Sequence, residues 1–213
     1  WRRVITISTV AACVDTPLAA DLTRFPQLQG EGGVAENNIP RIALTTGGAD
    51  ALECLMRKIG IGAPEFTPQA AAGRVNLYSG VGGTNRYATE VQGGALFSTA
   101  QSLWDSADNL NDYDMVVLSC EGQGDNPGNR GPTALGAMKS YLDDFGGRVF
   151  GSHWHHSWVE LGPDPMPTVA TFNHRADLPK PHTVTVNTDP AFPKGLALAE
   201  WLVNVGASLV YGQ

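Results

Sequence analysis

Residues 114 to 153 spell out one complete strand–helix–strand unit, and that unit constrains the fold more than any other stretch of the chain. "YDMVVLSCEG" is a short apolar run that passes into small polar residues, the pattern of a buried strand entering a loop. The loop "DNPGNRG" ends at Pro132, which suits a first helical position because its missing N–H would have no partner there. Leu135, Met138, Leu142 and Phe145 then recur at helical spacing, and Gly146-Gly147 close the helix. "RVFGSH" follows as the next strand. Such a crossover between parallel strands is right-handed and makes the two strands near neighbours. Their carboxyl ends lie together, so Cys120 and Glu121 are expected beside His153.

The rest of the chain repeats the alternation. "RIALTT" is a short apolar strand, "GGAD" a turn with Asp50 expected as the helix cap, and "ALECLMRKIG" a helix closed by Gly60. "GRVNLYSG" reads as another strand. "TVATF" and "TVTVNT" are strand candidates, and residues 191 to 205 form a helix with Leu198, Trp201, Leu202 and Val205 on one face. Short apolar strands alternating with helices predict an α/β fold with a mostly parallel sheet and helices on both faces. The first ten residues, "WRRVITISTV", alternate polar and apolar and read as a half-buried strand with no partner nearby. Residues 11 to 39 are rich in Pro, Gly and Asn and read as a connection wrapped over the α/β domain, which is expected to span 40 to 213.

Composition bounds the partners. The net charge is −7, and no basic cluster is large enough to capture phosphates, which argues against nucleic acid and anionic membrane surfaces. No apolar run approaches the roughly 18 residues of a membrane-spanning helix, so membrane insertion is not expected. The chain opens on Trp1, and both ends read as cut through folded structure. Residues 1 to 10 are therefore expected to pair with other copies of the chain or with segments of a longer precursor.

Few lysines and an odd cysteine count lean towards an extracellular or cell-surface protein. Cys13, Cys54 and Cys120 form no zinc spacing. In the helix "ALECLMRKIG", Leu52, Leu55, Met56 and Ile59 make the apolar stripe. Cys54 lies about 160 to 200° from it at about 100° per residue. An outer segment carrying Cys13 would reach it there, giving a Cys13–Cys54 disulfide; two free thiols are the alternative.

The string "YDMVVLSCEG…AMKSYLDDFGGRVFGSHWH" resembles the core of the ThuA-like branch of the class I glutamine amidotransferase-like, flavodoxin-like fold. A closer resemblance is to secreted bacterial proteins in which "WRRVITI" matches the last strand of a carboxypeptidase regulatory-like β-sandwich. In these "IPRIALTTGGADALECLMRKIGI" opens the α/β domain, and further strands follow where this chain ends; no reaction is established for them. The amidotransferase pattern implies a cysteine nucleophile in a G-x-C-x-G elbow. Here the matching positions are Gly151, Ser152, His153, Trp154 and His155, so a histidine stands at the nucleophile position. Trp154 and His155 poorly suit a strained turn that needs small neighbours.

In open parallel sheets, ligands bind at the carboxyl ends of strands. Thr46 and Asp50, Ser119 and Glu121, and Ser152, His153, Trp154 and His155 are all expected there, with Trp158 close behind. Trp154 and Trp158 beside polar groups suit the faces of sugar rings, in keeping with the sugar association that the ThuA-like resemblance implies. On an extended strand His153 and His155 would point to one side, and with Glu121 they would offer ligands for a divalent metal. The competing reading is that the histidines bond loop carbonyls and stack on the tryptophans. "TTGGAD" would cradle a phosphate only if its N–H groups were free. "WDSADNLNDYD" has acidic spacing like a calcium loop but lacks the closing Glu and central Gly, and reads rather as a solvated loop.

Two functions of different class follow as expectations. One is a secreted, non-catalytic binding or structural protein with a degenerate amidotransferase-like domain, no cofactor, and a glycan or protein partner. The other is a metal- or cysteine-dependent hydrolase using Cys120, Glu121 and His153.

Overall fold

The four residues Ile42–Thr45 are all buried, because this strand takes the centre of the sheet and is covered on both faces. It is β1 in the computed structural model, which describes residues 1–122, 130–172 and 185–213. With β2 (Val75–Ser79), β3 (Ser98–Thr99), β4 (Met115–Leu118) and β5 (Arg148–Gly151) it forms a sheet of order β3-β2-β1-β4-β5. Every pairing is parallel. The helices are α1 (Ala20–Thr23), α2 (Leu52–Lys58), α3 (Thr89–Gln92), α4 (Ala100–Trp104), α5 (Ala107–Asn111), α6 (Pro132–Asp143), α7 (Ser157–Glu160) and α8 (Pro193–Asn204). The α/β, flavodoxin-like architecture expected from the sequence is what forms. Two compact units divide the chain, Trp1–Thr171 and Phe172–Gln213.

Strand alternation sends side chains to opposite faces and so builds two cores. Ala43, Tyr78, Val116 and Leu118 pack with Leu103 and Trp104 of α4, Leu110 of α5, and Met138 and Tyr141 of α6. Ile42, Leu44, Val75, Leu77 and Val117 pack on the other face with Met56 of α2, Phe66 and Tyr87. A polar chain crosses the first core. The Tyr113 hydroxyl donates to Asn76 Oδ1 at 3.0 Å and stands 2.7 Å from the Tyr78 hydroxyl. Burial raises both the Tyr78 and the Tyr113 phenol, so the pair stays neutral.

Several local expectations are corrected. Residues 1 to 10 form no strand; among the described residues they hold a single antiparallel bridge, Arg2 to Asn38, while Val4 N–H donates to Asn37 Oδ1 and the Trp1 ring stacks on Phe25. The buried face of α6 is Ala134, Ala137, Met138 and Tyr141, while Phe145 is 62% exposed. Of the expected stripe, Met138 is buried and Leu135 and Leu142 pack partly buried against the same core, so only Phe145 departs from it. On α2, Met56 is buried but Leu55 and Ile59 face an open groove shared with Trp1, Ile39, Met115 and Phe150. "WDSADNLNDYD" contains α5, capped by the Ser106 hydroxyl and anchored by Leu110, rather than an open loop. "TVATF" begins in a 3-10 turn, and its five residues, all described, hold no strand. In "TVTVNT" residues 185 to 188 are not strand, and residues 183 and 184 lie outside the described residues. In the second unit, α8 buries Gly195 and Ala199, and the expected stripe residues Leu198, Trp201 and Val205 are exposed.

Cys13 and Cys54 are exposed free thiols, not a disulfide. The outer segment does reach the end of α2, but through a different stretch. Gly62 donates its N–H to the Gln27 carbonyl at 2.7 Å, and Gln29 donates to the buried Glu65 carboxylate.

Candidate functional site

The sheet order reverses direction between β1 and β4, and at such a switch point the loops leaving the two strands part and open a crevice. Asp50 follows β1, Cys120 and Glu121 follow β4, and Ser152 and His153 follow β5. The structure brings all of them together. Asp50 is not the cap of α2, whose cap position is Ala51 without a side-chain bond. Its Oδ2 instead accepts the Cys120 N–H at 3.2 Å and the Ser152 hydroxyl. The Ser152 hydroxyl holds the Asp50 carboxyl below its usual range, with the Cys120 amide helping and burial opposing. One carboxylate thereby ties the ends of three strands.

Cys120 Sγ lies 3.2 Å from His153 Nδ1 and receives the Gly122 N–H at 3.4 Å. The cysteine is fully buried, whereas His153 is exposed. His153 takes φ 46°, the left-handed region that is uncommon for a residue with a side chain. The strained residue is thus the histidine after β5, while the thiol it meets follows the adjacent strand β4.

His153–His156 is a 3-10 turn, not an extended strand, so His153 and His155 do not share a side. His155 points inward. Its Nε2 donates to the Ser119 carbonyl at 2.8 Å, and its Nδ1 accepts from Trp158 Nε1 at 3.2 Å. Both ring nitrogens are thus engaged, which fixes the neutral tautomer and leaves no lone pair for a metal. Burial, with the positive charge of Arg130 adding, holds this imidazole below its ordinary value. Glu121 is likewise engaged: Oε2 pairs with Arg130 Nη2 at 2.9 Å and Oε1 accepts from Val81 N–H at 3.1 Å. The metal set His153, His155 and Glu121 is therefore not assembled in this structure. No group of three metal-ligating side chains occurs among the described residues.

Trp158 is also buried, edge-on to Trp104 at 5.0 Å and under the Arg130 guanidinium at 5.5 Å, so it presents no face to a sugar. Trp154 stays partly exposed between His153 and His156, with ring centroids 5.3 and 5.8 Å away. Thr46 is buried and donates to the Thr84 carbonyl at 2.7 Å, holding the loop after β2. Three consecutive "TTGGAD" amides are already engaged and not free for phosphate. Gly48 donates to the Val81 carbonyl, and Ala49 and Asp50 donate to the Cys120 carbonyl.

Arg130 is the residue that sequence reasoning missed. It bonds Glu121 and, at 2.6 Å, the Ser157 hydroxyl, and so locks the β4 loop to the turn after β5. The available signal was a lone arginine within small polar residues, shortly after a glutamate at a strand end. Comparison with protein-family models, with curated proteins and with solved structures returns no match for this chain.

Proposed function

We propose that the chain is a non-catalytic binding module of an extracellular or cell-surface protein, with a ThuA-like, amidotransferase-related domain that has lost its nucleophile. Its ligand, a glycan or a partner protein, lies on the rim formed by His153, Trp154 and His156. The observation that carries this reading is the inverted exposure of the cysteine and histidine. A thiol nucleophile has to face its substrate with the base beside or behind it. Here Cys120 is fully buried and the imidazole is the exposed partner. The partly exposed Trp154 gives the rim an apolar face of the kind that stacks on sugar rings. No cofactor is part of this reading, and other copies of the chain are its further expected partners.

The contact of 3.2 Å between Cys120 Sγ and His153 Nδ1 favours one second reading, a cysteine-dependent hydrolase. Oligosaccharide titration followed by tryptophan fluorescence or NMR separates the two. Under the binding reading, Trp154→Ala abolishes binding and Cys120→Ser leaves it intact. Ester or amide turnover that disappears in Cys120→Ser would establish the hydrolase instead.

A further inference from the structure

On the face of the sheet that carries α2, a cavity of about 430 Å³ opens beside the helix, away from the Cys120–His153 edge. Phe66, Leu77, Tyr87 and Phe97 form its apolar wall, with the Tyr87 and Phe97 rings edge to face at 4.7 Å. Glu53 enters this wall from α2. Its Oε2 is buried and has no hydrogen-bond partner among the described residues. A buried acceptor left unpaired is costly, and an ionised one more so.

The two arginines that line the cavity do not answer it. Arg57 donates to the Ile61 carbonyl and lies over the Phe66 ring at 5.7 Å. Arg86 donates to the Asn85 side chain. Burial raises the Glu53 carboxyl, and its own backbone N–H is the only opposing group. The missing partner is thus a donor, and the donor that best matches an uncompensated carboxylate is a cation.

We propose that this cavity is a second binding site, for a small primary amine bearing an aryl or branched alkyl group. Its ammonium donates to Glu53 Oε2, and its apolar part lies against Leu77, Tyr87 and Phe97. The cavity has room for a ligand of well over ten heavy atoms. This site does not depend on the function proposed above, because it shares no residue with that rim.

Cys54 provides the readout, since its exposed thiol lines the same cavity. The test measures Cys54 alkylation in the intact chain by mass spectrometry, with phenethylamine, phenylacetate or 2-phenylethanol present at about 1 mM, the affinity range for a ligand of this size. Phenethylamine is expected to slow alkylation severalfold and phenylacetate to leave it unchanged. In Glu53→Gln the preference for amine over alcohol falls at least about tenfold. Equal protection by all three compounds, or protection by none, overturns the proposal. The comparison in the unsubstituted chain decides this even if the variant does not fold.

Discussion

Replacing Arg130 by methionine removes the cation paired with Glu121 in the interior. The two side chains are 5% and 4% exposed and meet at 2.9 Å. Arg130 also loses its bond to Ser157 and its stacking on Trp158. Breaking a buried pair from one side leaves an uncompensated charge and costs about 3–5 kcal/mol. The i,i+4 pair Lys139–Asp143 is a built-in control, since its side chains are 27% and 53% exposed. Removing that surface pair is expected to cost about 0.3–0.5 kcal/mol. Urea unfolding of Arg130→Met, Glu121→Leu and the double variant forms a double-mutant cycle. The double variant is expected to be more stable than Arg130→Met alone, because it buries no charge. Additivity of the two substitutions within about 0.5 kcal/mol would refute the reasoning.

The remaining predictions concern pH and close packing. His155 is held below its ordinary value in the folded chain, so the unfolded chain takes up a proton that the folded one refuses. Stability is therefore complete above about pH 6.5 and falls as the pH drops below it, by up to about 1.4 kcal/mol per unit. Thermal unfolding between neutral and mildly acid pH checks this, and His155→Gln, which can keep both hydrogen bonds, is expected to flatten the dependence. Asp50 acts in the same direction at lower pH: its contribution is present above the usual carboxylate value and is lost as the pH falls through its depressed one. Gly47→Ala places a Cβ 2.2 Å from the Cys120 carbonyl oxygen, a backbone atom that cannot swing away. Denaturant titration is expected to show a loss of about 3 kcal/mol or more, the upper end of overpacking costs.

Most of the sheet was legible because its central strands are short, mainly apolar runs bounded by polar or turn residues. "RIALTT", "VNLYS" and "MVVL" are buried on both faces and need no long-range information to be recognised. The juxtaposition of Cys120 with His153 followed from connectivity alone, through the right-handed crossover from β4 to β5. What was not legible depends on contacts distant in sequence. Asp50 looks like a helix cap until Ser152 and Cys120 are placed beside it, 102 and 70 residues further on. The pairing of His153 and His155 assumed an extended strand, and the chain coils into a 3-10 turn one residue after β5 ends. "WRRVITISTV" has strand composition, yet its ladder pairing among the described residues is one bridge to Asn38, which shows that propensity without a partner strand makes a bridge and not a strand.

The central claim, a rim that binds over a thiol that does not react, is tested most directly by timed alkylation of the three cysteines. Under native conditions at neutral pH, iodoacetamide is expected to modify the exposed Cys13 and Cys54 and to spare the fully buried Cys120 until the chain is unfolded. Modification of Cys120 ahead of the other two, as an imidazole-activated thiolate would show, would contradict the account and identify a nucleophile.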